Sequence, residues 1–187
     1  MVGARMRCVL RFVALVVAVH VVAVAESSAA MALTLTSSAF ESGGKIPSKY
    51  TCEGEDISPP LGIAGVPDGA KSLAFILDDP DAPDPKAPKL VWVHWVLYNL
   101  SPDTGTLSEG AGSGVPAGAT SGINDWKRTG YGGPCPPIGR HRYFHKLYAL
   151  DTKLPDKPMT KAELEAAMKG HVLAQAELIG TYQKGDP

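Results

Sequence analysis

Proline and glycine punctuate this chain so densely that a helical bundle cannot be drawn through it. The 187 residues include 16 Pro and 20 Gly; each proline fixes φ and removes a backbone donor, and each glycine favours a turn. Short strands joined by turns are what such a sequence can complete, so the fold class is read as mainly β. Its length fits a single domain able to bury a substantial core.

Met31 to Phe40, where apolar and hydroxyl residues alternate, reads as a first strand that ends at Gly43-Gly44. Ile46 to Pro60 reads as an irregular loop carrying Glu53, Glu55 and Asp56. Leu61 to Val66 reads as a short strand, Pro67-Asp-Gly69 as a turn and Ser72 to Asp78 as a buried strand that runs into the acidic, proline-studded Asp78 to Pro88 loop. Leu90 to Leu100 is apolar on both faces, which predicts a central strand covered on each side, with His94 in its middle. Pro102 to Ser121 has no periodic pattern. Gly130 to Arg142 is a Gly/Pro loop that enters a strand, Tyr143 to Leu150. On that strand His141, Tyr143 and His145 face one way, and Arg142, Phe144 and Lys146 the other. Thr160 to Lys169 has a capping residue and strong helix formers, while Val172 to Gln183 reads equally as more helix or as a final strand.

The first 32 residues read as a secretory signal peptide. Arg5, Arg7 and Arg11 precede an apolar run from Phe12 to Ala25, and small residues then offer cleavage between 25 and 26 or between 32 and 33. An uncleaved anchor is the alternative, but the run falls short of the roughly 20 residues a spanning helix needs. The expected location is periplasmic or secreted, with the domain at 33–187 and no stable membrane insertion after cleavage. Removing the leader leaves 15 basic and 18 acidic side chains, a balance that gives no reason to expect nucleic acid. It also leaves two cysteines, Cys52 and Cys135, and an oxidising compartment favours a Cys52–Cys135 disulfide over two separate buried thiols. Neither has a second ligand at zinc spacing.

Three segments place polar groups beside strand-like backbone: Asp79-Pro-Asp81, His94, and His141 with Tyr143. Taken singly, His94 reads as a hydrogen-bonded core histidine, and Asp79 and Asp81 as turn-capping residues. Together they make a pocket, because a half-buried carboxylate needs a partner and a buried imidazole supplies one.

Asp79-Pro-Asp-Ala-Pro83, His94-Trp-Val-Leu-Tyr-Asn99 and Gly132-Gly-Pro-Cys-Pro-Pro-Ile-Gly-Arg-His-Arg-Tyr143, in that order and at these spacings, resemble the phosphatidylethanolamine-binding proteins, in their bacterial Raf-kinase-inhibitor-like branch. Tyr50 to Pro60 and Gly180-Thr-Tyr182 extend the likeness over residues 33–184. The resemblance implies a large antiparallel sheet packed on a smaller one, a short C-terminal helix before the last strand, and a small anion pocket built by Asp79, Asp81, His94, Gly133, Pro134, His141 and Tyr143. It implies a non-catalytic binding protein for a phosphate-like anion or phospholipid head group, with a protein target as a further possibility and with no cofactor or metal. Imidazoles, a phenol and loop N–H groups suit such a ligand, and protonating a histidine would tighten binding towards pH 6. The alternatives are a hydrolase using an Asp–His pair, with no Gly-x-Ser-x-Gly or His-Glu-x-x-His motif to support it, and a metal site of His94, His141 and the two aspartates. Ala82-Pro83 is the candidate cis bond.

Overall fold

The computed structural model describes residues 32–186; the leader read from the sequence, up to residue 31, lies outside them. Eight strands and one helix follow in order: β1 Thr34–Thr36, β2 Leu61–Ala64, β3 Ser72–Asp79, β4 Trp92–Leu100, β5 Thr106–Leu107, β6 Thr120–Ser121, β7 His141–Leu150, α1 Lys161–Met168 and β8 Val172–Tyr182. They form an antiparallel three-stranded sheet, β1-β2-β5, and an antiparallel five-stranded sheet, β6-β4-β3-β7-β8.

The large sheet is buried on both faces because β3 and β4 are apolar at consecutive positions. Leu73, Phe75, Leu77, Trp95 and Leu97 pack towards the small sheet, in a core that also takes Leu35, Leu61 and Tyr143. Ala74, Ile76, Val96 and Tyr98 pack the other way, against Leu164 and Met168 of α1. The helix starts at Thr160, whose hydroxyl accepts from Glu163 N–H while the Glu163 carboxylate accepts from Thr160 N–H, a reciprocal cap.

The tail resolves as strand. β8 pairs along almost the whole of β7, from His141 with Tyr182 to Leu150 with Val172, and a long partner strand decides what local pattern left open. Two expectations change in extent: β1 covers three residues rather than ten, and the Pro102 to Ser121 segment holds two short strands and a single 3₁₀ turn at Ala111–Ser113.

The ladder between β3 and β4 is irregular at one consequential place. Leu77 pairs with Trp95 and Asp78 with Val93, so the pairing passes over His94. This is a β-bulge, in which one extra residue bends the strand and re-aims a side chain. Val93 therefore packs with the α1-side core and Trp95 with the opposite core, although two residues apart on a regular strand share a face.

Candidate functional site

Asp79 ends β3, and its carboxylate does two things. Oδ1 accepts from the Asp81 N–H at 2.8 Å, closing the turn, and Oδ2 lies 2.7 Å from His141 Nδ1. His141 Nε2 lies 3.0 Å from the Ile138 carbonyl. A carbonyl only accepts, so Nε2 carries a proton, and a second proton lies between Nδ1 and the carboxylate. Wherever that second proton rests, the Asp79–His141 pair is neutral overall. Desolvation pushes the Asp79 carboxyl up, against the lowering effect of the His141 bond.

Asp81 turns away from this pair. Its carboxylate takes Arg142 Nε at 2.9 Å and Nη2 at 2.7 Å, and also the Arg142 N–H; the Arg142 hydrogen bond holds its carboxyl below the ordinary range. The Ala82–Pro83 bond that follows Asp81 is cis, as expected.

His94 enters from the bulge. Its Nδ1 lies 2.7 Å from the Gly132 carbonyl and so donates to it, which leaves Nε2 as a lone-pair acceptor without a protein partner. Burial depresses its pKa to about 4, so the ring is neutral at pH 7. Tyr143 is fully buried, and its hydroxyl has no hydrogen-bond partner in the protein. Burial raises its pKa far above the ordinary phenol value, so it remains an O–H. An unpaired buried hydroxyl costs about 1–3 kcal/mol, and it stands beside His94, ring centroids 5.2 Å apart.

Asp79, His94, His141 and Tyr143 line one cavity of about 410 Å³. Gly133 and Pro134 are not among its lining residues. The Gly133 N–H donates to Asp56 Oδ1, the Pro134 carbonyl accepts from the Cys52 N–H, and the Gly132 N–H donates to the His94 carbonyl. The loop donors expected to meet an anion are thus committed within the protein. The loop instead supplies wall: Cys135, Pro136 and Pro137 line the cavity. Cys135 is bonded to Cys52, 83 residues away, with Cα atoms 5.4 Å apart.

The rest of the lining escaped sequence reasoning. Trp92, read as core, is half-buried and faces the cavity; Trp126, from the Asn124 to Arg128 turn, forms another wall at 40% exposure. Its ring meets Trp92 and His94 edge-on at 5.4 and 5.1 Å. It packs so closely on the Gly/Pro loop that a Cβ at Gly132 would come within 2.4 Å of it. An indole isolated among polar turn residues was the available signal. Ala82, Pro83, Leu90 and Lys89 complete the rim. Among the described residues no three His, Cys, Asp or Glu side chains gather to hold a metal ion, and no helix is long and apolar enough to cross a membrane.

The chain matches the family model described as phosphatidylethanolamine-binding protein over residues 36–183. It is 51% identical to a UPF0098 protein of Methanothermobacter thermautotrophicus over 156 residues, 82% of this chain and all of that one. Its fold matches the crystal structure of a phosphatidylethanolamine-binding protein homologue from Chlamydia trachomatis, with TM-score 0.75, 47% identity, and coverage of 82% of this chain and 98% of that one. It also matches E. coli YbcL, a member of the mammalian PEBP family, with TM-score 0.73, 32% identity, and coverage of 82% and 99%. With the family model spanning most of its length, this chain belongs to the phosphatidylethanolamine-binding protein family.

Proposed function

We propose that this protein is an exported, non-catalytic binding module whose cavity takes a phosphate-like group in its singly protonated form. The observation that carries the reading is the pair of unmatched polar groups at the cavity wall: the Tyr143 hydroxyl and His94 Nε2. A phosphate monoanion fits that pair, because a P–O⁻ accepts from the phenol and a P–OH donates to the imidazole. The neutral Asp79–His141 couple adds no repelling charge. The leader pattern and the Cys52–Cys135 bond support export.

Hydrolysis is the weaker reading. His141 has both nitrogens engaged, the Cys135 sulfur is in a disulfide, and an imidazole with pKa about 4 is a poor general base at neutral pH.

Calorimetric titration of the oxidised protein with inorganic phosphate tests the reading. Binding should strengthen as pH falls from 8 to 5.5, because the ligand gains its proton there; His94 does not titrate until about pH 4, so it cannot supply the effect expected from a histidine near pH 6. Tyr143→Phe should weaken binding about tenfold or more. Affinity that is flat or rises with pH, or that ignores Tyr143→Phe, rejects the assignment.

A further inference from the structure

A second cavity, of about 280 Å³, lies between the Asp56 to Ser58 segment, the Gly112 to Val115 turn and the Arg128 to Tyr131 segment, and it shares no lining residue with the first. Hydrogen bonds tie its walls together. The Gly112 N–H donates to Ser58 Oγ at 2.8 Å, the Gly130 N–H to Ser121 Oγ at 3.1 Å, and the Tyr131 N–H to the Gly112 carbonyl at 3.1 Å. The turn is seated so closely that a Cβ at Gly112 would come 2.3 Å from Tyr131 Cβ. Ser58 and Ser121 are buried in the lining and their hydroxyls accept these bonds, but neither gives its own proton to an acceptor among the described residues. A hydroxyl is a donor as well as an acceptor, so both protons are left for an occupant.

Opposite charges face this cavity without meeting. Asp56 follows Glu55 on an exposed acidic segment, and Arg128 closes the turn that begins at Asn124. Asp56 Oδ1 accepts from the Gly133 N–H at 2.7 Å, which leaves Oδ2 without a hydrogen-bond partner among the described residues. The Arg128 guanidinium stands 5.8 Å from the Trp126 ring centroid, and among the described residues neither it nor Asp56 has an ion-pair partner. A simple anion would answer Arg128 and confront Asp56, a simple cation would do the reverse, and a neutral polyol would pair neither charge. A zwitterion answers both. The volume falls just below the roughly 300–1,000 Å³ of drug-sized sites, so the zwitterion is a small one. Ile57 and Val115, the latter 53% exposed, offer apolar surface to a short side chain.

We propose that this cavity is a binding site for a free α-amino acid. The carboxylate accepts from the Arg128 guanidinium, in the forked geometry arginine presents to a carboxylate, and from the Ser121 hydroxyl, while the ammonium donates to Asp56 Oδ2. The proposal is independent of the phosphate reading, because the two cavities are lined by different residues.

The test is a titration of the isotope-labelled, oxidised full chain with glycine and with L-valine, followed by NMR amide shifts. Isovalerate, isobutylamine and glucose serve as ligands that lack the ammonium, the carboxylate or both charges. Asp56→Asn keeps an oxygen for the Gly133 N–H and removes the charge, and Arg128→Gln removes the opposite charge from an exposed side chain. At least one amino acid should bind with a Kd of about millimolar order, shifting the amides of Gly112 to Gly114 and of Arg128 to Tyr131. Each variant, and each loss of a charge from the ligand, should weaken binding about tenfold or more. Failure of both amino acids to shift those amides, an affinity that either variant leaves unchanged, or isovalerate, isobutylamine or glucose binding as tightly as the amino acid would each overturn the proposal.

Discussion

Asp78 and Asp79 are neighbours on one strand, and the protein treats them in opposite ways. Asp78 points to the α1 side, where Lys146 Nζ lies 2.9 Å from both its oxygens and Lys161, the first residue of α1, closes on Oδ2. Asp79 points to the cavity, where one imidazole and the Asp81 N–H answer it and a buried phenol beside it stays unpaired. The first carboxylate is answered by more charge than it carries, although its Oδ1 accepts no hydrogen bond and is held by ion pairing with Lys146 alone. The second leaves its surroundings short of partners, and a ligand can complete them. Adjacent residues on a strand face opposite layers, so one strand serves both purposes.

Separating the two sides is the sharpest way to break this contrast. Asp78→Asn removes the carboxylate that two neighbouring lysines share, leaving only the half-exposed Glu165 beside Lys161, and should lower unfolding free energy by about 3 kcal/mol, read by urea denaturation, with phosphate affinity kept wherever the variant remains folded. Loss of binding in a fully folded Asp78→Asn protein would show that the two sides are coupled.

The same contrast runs through two imidazoles, both depressed by burial to about 4: His94 at the cavity and His145 between Phe40 and Phe75 in the core. A depressed folded pKa gives stability that is complete above the unfolded value near 6.5 and is lost as pH falls through about 4. For His145 the loss is on the order of 3 kcal/mol, and Asp79, pushed up by desolvation, acts in the opposite sense. His145→Leu should therefore flatten the fall in urea midpoint between pH 6.5 and 4 without altering phosphate binding at pH 7. An unchanged slope would place the acid sensitivity elsewhere.

The smallest effect has the most diagnostic sign. Tyr143→Phe removes an unsatisfied buried hydroxyl, so it should raise stability by about 1 kcal/mol in the same substitution that weakens phosphate. A loss of stability would mean that the hydroxyl already has a partner.

Much of the architecture was legible from residue order. Alternation along His141 to Leu150 gave the faces of β7, and the unbroken apolar run of β4 announced a strand covered on both sides. The tail was ambiguous because Ala174, Gln175 and Ala176 suit either periodicity; the pairing with β7 settles it. At the site, residue types named Asp79, His94, His141 and Tyr143, but not where their second hydrogen bonds go. The destinations of the Gly132 and Gly133 N–H groups depend on Asp56 and on the His94 carbonyl, tens of residues away, and local chemistry carries no trace of them. Trp126 was marked only by its type, an indole in a polar turn, since a turn has no period to reveal which way the ring points.

The bulge at His94 bears on how this site can vary. Deleting one residue there would restore regular pairing across that point and leave every neighbouring side chain chemically intact, yet the cavity would lose its imidazole and Val93 would cross to the other core. Upstream of that point the strand keeps one phase and from Trp95 to Tyr98 the other, so the spacing between residues matters as much as their identity. A homologue could retain each motif letter for letter and still lose the arrangement through a single change of count.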